Sequence, residues 1–136
     1  MAVSVIVDAS FLVTLLSRRE TNHRWADGQA RQYPPPWKTC EAAISETLYL
    51  LGPDGASAFV ALLRRGAIVA SFRFDESAEA VLNLMQKYSD VPMSFADACL
   101  VRMTETMADP LLLTTDSDFR IYRRHSRQTV PCMMPR

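Results

Sequence analysis

The sequence predicts an α/β fold layered around a parallel sheet, and three observations predict it. Val3 to Val7 is apolar except for Ser4 and lacks polar alternation, as in a strand buried on both faces. Strand-like and helix-like segments alternate along the chain instead of falling in blocks. With 136 residues, 49% hydrophobic and 22% charged, the chain has the composition of one globular domain. That domain, residues 1–136, can bury a core without disulfides.

Each element has its own local reason. Val3 to Val7 is the first strand. Ala9 to Leu16 stays apolar without alternation and reads as helix. Asn22 to Gln32 is a polar helical segment, closed off by the loop Pro34-Pro35-Pro36. Trp37 to Thr39 is a short second strand. Cys40 to Leu51 is a helix stopped by Gly52-Pro53, and Ala56 to Arg65 a further helix stopped by Gly66. Ala67 to Phe72 is a strand. Asp75 to Tyr88 is an amphipathic helix with Ala78, Val81, Leu82 and Met85 on one face. Ser94 to Met107 is the last helix. Leu111 to Thr115 is a strand, and Thr129 to Cys132 is expected to be the final one.

Charge and cysteine content exclude several classes. Lys+Arg and Asp+Glu both number 15, so bulk positive charge does not draw the chain to nucleic acid. A local nucleic-acid site remains open. The apolar runs are too short to span a membrane. The first residues lack a basic region followed by an apolar stretch, so a secretory signal is not expected. Cys40, Cys99 and Cys132 are odd in number and scattered, with no zinc-type spacing. They read as reduced thiols, which places the protein in the cytoplasm. His23 and His125 lie in polar, Arg-rich surroundings and read as surface residues.

Ligands of open parallel sheets bind beyond the carboxyl ends of the strands. Asp8 follows the first strand directly. Asp116 follows the strand at Leu111–Thr115, with Asp118 two residues later. Either aspartate alone is as well explained by helix capping. Glu46 has Ala42, Ala43, Tyr49 and Leu50 as helical neighbours, and a carboxylate on such a face is costly unless paired or bound to a cation. Against that, a small rotation would put Glu46 at the edge of the stripe. Asp97 fits a capping box with Ser94, yet shares a face with Leu100 and Val101. Four carboxylates at one sheet edge repel one another, by about 4 kcal/mol for two charges 4 Å apart at an effective dielectric of 20. A hard divalent cation offsets that, and oxygen-only ligands select Mg²⁺ or Mn²⁺.

The ordered segments Val5-Ile6-Val7-Asp8-Ala9-Ser10, Ala43-Ile44-Ser45-Glu46, Ser94-Phe95-Ala96-Asp97-Ala98 and Leu113-Thr114-Thr115-Asp116-Ser117-Asp118-Phe119 resemble the four motifs of PIN domains. The closest likeness is to the VapC-type toxin ribonucleases of prokaryotic toxin–antitoxin pairs, over nearly the whole chain. The resemblance implies a Rossmann-like α/β/α sandwich with a parallel sheet of four or five strands. It implies that Asp8, Glu46, Asp97 and Asp116 form an acidic quartet that holds one or two Mg²⁺ or Mn²⁺ ions. Asp118 matches a position that supports the metal site. Thr114 matches a small hydroxyl residue that orients the last aspartate. The implied activity is endoribonuclease hydrolysis of RNA phosphodiester bonds. The implied partners are a cognate antitoxin protein and a second copy in a homodimer.

Arg18 and Arg19 after the first motif, and Arg120, Arg123 and Arg124 after the last, are candidates for RNA phosphate contacts, each equally explained as a solvated surface residue. Trp25, Tyr33 and Trp37 could stack on bases, although core or dimer packing is the commoner use. The antitoxin is expected to reach the carboxylates with an arginine and to lie in an apolar groove near Phe11, Leu12, Leu15 and Leu16. The main alternative keeps the fold without the cleavage, as a non-catalytic RNA- and metal-binding PIN module. A receiver-type domain would need an adjacent acidic pair at the first strand and a late Lys, and a dehalogenase-like phosphatase would need Asp where Ser10 stands. An interaction protein without a site leaves Glu46 on its expected apolar face unexplained.

Overall fold

The computed structural model describes residues 2–136. Five parallel strands form one sheet in the order β3-β2-β1-β4-β7. They are β1 (Ser4–Val7), β2 (Trp37–Thr39), β3 (Ile68–Ala70), β4 (Pro110–Leu113) and β7 (Cys132–Met133). The helices are α1 (Ala9–Leu16), α2 (His23–Gln32), α3 (Glu41–Arg64), α4 (Ala78–Lys87) and α5 (Phe95–Thr106). This is the α/β/α sandwich that the sequence predicts. Among the described residues no helix is long and apolar enough to cross a membrane.

The central strand β1 is clothed on both faces, which is why it carries no alternation. Ile6 and Leu112 point into a core built with α4 and α5, around Val81, Leu100, Val101, Met103 and Tyr122. Val5, Val7 and Leu113 point the other way, onto Phe11, Leu12, Trp37 and Phe59. Adjacent strands keep register side by side, with Val7 opposite Leu113 and Ile6 opposite Lys38. The Thr39 hydroxyl donates to the Val7 carbonyl at 2.7 Å and fastens the carboxyl end of β2 to that of β1.

Three expectations are corrected. The stop at Gly52 is a kink, because helix resumes at once with Pro53 in its first turn and runs on to Arg64. Leu82, assigned to the buried face of its helix, is 46% exposed. The face that meets α5 centres instead on Val81, with Leu84 and Met85 beside it. The final strand divides in two. Gln128–Thr129 (β6) pairs antiparallel with Arg123–Arg124 (β5), and only β7 joins the main sheet. Trp37 is buried, and Trp25 meets Phe11 edge to face at 6.1 Å. Both tryptophans therefore belong to the core rather than to a base-stacking surface.

Gly52 adopts φ 68° and ψ −177°, a region that essentially only glycine occupies. A Cβ there would meet nothing within 4 Å, so the cost of adding one is backbone strain alone. Gly52→Ala is expected to lower stability by about 1–3 kcal/mol, read as a shift in the urea unfolding midpoint with unchanged slope.

Candidate functional site

The carboxyl edge of the sheet carries the acidic residues, and each is held by a different device. Asp8 leaves β1 as the N-cap residue of α1, but its side chain makes no capping bond. Its Oδ2 instead accepts from the Ser10 hydroxyl at 2.8 Å and the Thr114 hydroxyl at 2.8 Å. The two hydroxyl oxygens lie 3.1 Å apart and in turn accept from Thr115 N–H and Asp116 N–H, each at 3.0 Å. Helix capping therefore does not explain Asp8. Its carboxylate closes a buried knot between the ends of β1 and β4.

Asp97 does both things that its sequence context allows. Its N–H donates to Ser94 Oγ at 3.0 Å, and its Oδ2 accepts from Ser94 N–H at 3.3 Å, which completes the capping box. The same Oδ2 accepts from the Tyr122 hydroxyl at 3.1 Å, and the residue is buried. Asp116 follows β4, and its Oδ1 accepts from Asp118 N–H at 2.9 Å. Asp118 thus serves Asp116 through its main chain. Thr114 bonds in both directions, donating to Asp8 Oδ2 and accepting from the Asp116 amide, so its hydroxyl steadies the first aspartate as well as the last.

Glu46 requires a correction. It is exposed, and so are its neighbours Tyr49, at 85%, and Leu50, at 53%. Ala43 before it is buried and Ala42 half-buried, so Glu46 stands at the edge of the buried stripe, where the desolvation expected from sequence is partial. Its place is still electrostatically tied to the others. Partial burial and then the charges of Asp97 and Asp116 hold its carboxyl above the usual range.

Electrostatics links the four into one site. Burial pushes the Asp8 carboxyl up, against the two hydroxyl bonds, with Glu46 and Asp116 adding to the rise. Burial and then Asp8 push Asp97 up to about 6, against the Ser94 and Tyr122 hydrogen bonds. Burial and the nearby Asp97 hold the Tyr122 phenol above its ordinary range, so it stays a donor. Among the described residues, the ion pairs are Arg31–Asp27, Arg73–Asp75 and Arg102–Glu105. None of them reaches the quartet.

The donor set fits a hard divalent cation. Asp8, Asp97 and Asp116 are each anchored through one oxygen. Among the described residues the sealed side-chain atoms without partners are Gln29 Oε1 and Arg124 Nε. The second oxygens of the aspartates therefore remain open to water or an ion. All are carboxylate oxygens, the kind Mg²⁺ and Mn²⁺ select. Among the described residues no three acidic, His or Cys side chains close into a ready cage, and mutual repulsion opposes such closure.

The arginines separate into two groups. Arg18, Arg19 and Arg120 are exposed. Arg123 folds back to donate to the carbonyls of Arg120, Ile121 and Tyr122, and Arg124 donates to the Thr104 carbonyl at 2.9 Å. These last two hold the chain's own structure, which weakens their case as RNA contacts. Two residues of the site were missed in the sequence, Ser10 and Tyr122. Ser10 stands two positions after Asp8, where a hydroxyl can turn back to it. Tyr122 gave no local signal, because only the tertiary fold brings it to Asp97.

A parallel sheet covered by helices on both faces, with carboxylates gathered at the carboxyl ends of its strands, places the chain among the α/β proteins whose ligands bind at that edge. The PIN domain family model matches residues 5–124, and the chain belongs to that family. Among solved structures it is similar to VapC20 of Mycobacterium tuberculosis, described as a sarcin-ricin loop cleaving toxin. The two share 22% identity over 85% of this chain and 92% of that one, with a TM-score of 0.74. A comparison with curated protein sequences finds no match.

The raised carboxyls give the metal-free protein a definite pH dependence. An acid that binds its proton more tightly when folded stabilises the fold below its unfolded value and loses that contribution as pH rises through its folded value. For Asp97 the window runs from 3.8 to about 6. In EDTA, stability is expected to fall as pH rises across it. Asp97→Asn keeps the capping shape and removes the charge, and it should flatten that fall. Urea unfolding at several pH values checks both.

Proposed function

We propose that the chain is a Mg²⁺- or Mn²⁺-dependent endoribonuclease, the toxin of a toxin–antitoxin pair that acts in the cytoplasm. The observation that supports it best is the carboxyl edge of the sheet. Three aspartates, after β1, in α5 and after β4, are each tethered by one oxygen and open at the other, and among the described residues no cationic side chain pairs with them. The description of VapC20 as a toxin that cleaves the sarcin-ricin loop favours RNA as the substrate class.

Asp8, Asp97 and Asp116 would hold one or two ions, with Glu46 at the exposed rim and Asp118 beside Asp116. A bound ion supplies charge stabilisation at the phosphate and lowers the pKa of water. The chain's own residues do the rest. Ser10 and Thr114 fix the Asp8 carboxylate, and Tyr122 and Ser94 fix that of Asp97, so the ligands are oriented before substrate arrives. Glu46 reaches the site from solvent and is suited to orient a water at the phosphate. Exposed Arg18, Arg19 and Arg120 are suited to the RNA backbone, since a guanidinium fork matches phosphate.

A toxin of this kind needs an antitoxin, and a groove for it runs from the acidic edge. Two adjoining cavities beside α1 share Val13, Glu20 and Leu50: one of about 270 Å³ touches Ser10 and Thr115, and one of about 450 Å³ is lined by Leu16, Leu51, Arg18, Arg19 and Asp54. Phe11 and Leu12, expected at that groove, are fully buried in the core instead. An amphipathic segment with apolar anchors and a terminal arginine fits the groove and would neutralise the carboxylates. A homodimer belongs to the same reading.

Two experiments test it. Saturating Mn²⁺ is expected to raise the melting temperature at pH 7 and to do so less at pH 5, where protons compete for the carboxylates. Purified chain should cut RNA in Mn²⁺ and not in EDTA, and Asp97→Asn should lose cleavage by at least about a hundredfold, as the order of one transition-state contact implies. Retained cleavage in that variant defeats the active-site reading. Co-expression with the product of the adjacent reading frame should yield a complex that no longer cuts, and a complex that cuts as fast as the free chain defeats the toxin reading.

A further inference from the structure

The cysteines are scattered in the sequence, but the fold brings two of them together. Cys40 follows β2 as the N-cap residue of α3, and Cys99 lies in the second turn of α5. Both are free thiols, and both are buried in the same core cluster. Cys40 Sγ stands 4.0 Å from the Ala96 carbonyl. Ala96 is one turn before Cys99, on the same face of α5. There the Cys99 thiol donates to the Cys40 sulfur. Neither thiol has a part in the chemistry at the carboxylates.

Their place ties them to the acidic edge. Thr39, next to Cys40, fastens the end of β2 to Val7, the residue before Asp8. Asp97 stands two residues before Cys99 in α5, and Glu46 rides on α3. The pair therefore joins the two helices that carry Glu46 and Asp97. Buried cysteines are often inert packing groups. This pair differs in having a second thiol in contact, because a sulfenic acid formed at one is captured by the other. The start of α3 also offers a way in. Cys40 makes no capping bond there, where Ser, Thr, Asp or Asn would make one. Its next neighbour, Glu41, is exposed. Local opening of that first turn admits a small oxidant.

We propose that Cys40 and Cys99 are a redox pair, which hydrogen peroxide joins as a disulfide that weakens the hold of the acidic edge on its metal ion. This rests on the metal-dependent ribonuclease reading and adds a means of regulating that site. One thiol gives up its proton and its sulfur attacks a peroxide oxygen. The O–O bond breaks, a sulfenic acid forms and water leaves. The second sulfur then attacks the first, the S–O bond breaks, and another water leaves. Two thiols are thereby oxidised to one disulfide, and one peroxide is reduced to two waters. Bonded sulfurs lie about 2 Å apart, closer than hydrogen-bonded thiols. The bond therefore draws the first turn of α3 and the second turn of α5 together, and Asp97 moves with α5 away from its alignment with Asp8.

The test uses the full chain with Cys132→Ser, so that only the pair is left to react. The reduced protein is treated with hydrogen peroxide without denaturant, and its peptides are mapped by mass spectrometry under non-reducing conditions. A Cys40–Cys99 cross-link is expected in the folded monomer, reversed by dithiothreitol. Mn²⁺ affinity, read by titration calorimetry, should fall about tenfold on oxidation, the order that disturbing the support of a metal ligand costs. RNA cleavage should fall with it, and dithiothreitol should restore both. Cys99→Ala keeps every methionine and should lose the response to peroxide, which separates the pair from methionine oxidation. Cys40→Ala is held to the same outcome, so a folding defect in one variant does not decide the matter. If the cross-link forms only in urea, the thiols are inert in the fold and the redox pair is overturned. If it forms in the folded chain but leaves Mn²⁺ affinity and cleavage unchanged, the regulation is overturned and the ribonuclease reading stands. If the reduced chain neither binds Mn²⁺ nor cuts RNA, the ribonuclease reading and the regulation fall together.

Discussion

Everything at the acidic edge depends on how one buried carboxylate is kept in place. Asp8 stands where a sheet strand becomes a helix, almost wholly out of water. An ionised group there is strongly disfavoured unless donors surround it. Ser10 and Thr114 supply them, and each hydroxyl is held by a main-chain amide from the segment after β4. The knot therefore orients Asp8, aligns the ends of β1 and β4, and sets the direction in which Asp116 leaves the sheet. A single substitution at Thr114 would disturb all three.

The site's electrostatics follows from the same arrangement. Like charges are gathered where the sheet ends, and hydrogen bonds offset only part of the cost. Two of the four, Asp8 and Asp97, are buried, while Glu46 stays in water. The inner pair is held rigidly by hydrogen bonds, and the outer residue meets solvent. The edge is thus a region where local stability is given up in return for binding capacity, as is common at functional sites.

Much of this was legible in the chain because it is local. The boundaries of α1 and β2, and the capping box of α5, follow from a few adjacent residues, and the structure agrees with them. What failed depended on distant parts. The β5–β6 hairpin turns through His125 and Ser126 at positive φ, without a glycine to announce it. It is secured from outside, by Glu105 Oε2 accepting from His125 N–H and Lys87 Nζ donating to the Ser126 carbonyl. For Glu46, the face that selected it is buried at Ala43 and open at Tyr49 and Leu50, so the alternative placement at the edge of the stripe is the one the helix adopts. Tyr122 gave no periodic signal at all, since its contact with Asp97 comes from where the segment after β4 returns to α5.

The pairing of β1 with β4 has a consequence for the order of events during synthesis. Thr114 and Asp8 are 106 positions apart, so the contact at the heart of the sheet closes a very long loop. Contacts of such high contact order form late, because the closure entropy of a long loop must be overcome first. A nascent chain emerging from the ribosome has Asp8 and Glu46 but lacks the strand that completes the knot. The acidic edge is therefore complete only once the segment carrying Thr114 and Asp116 has closed that long loop onto Asp8.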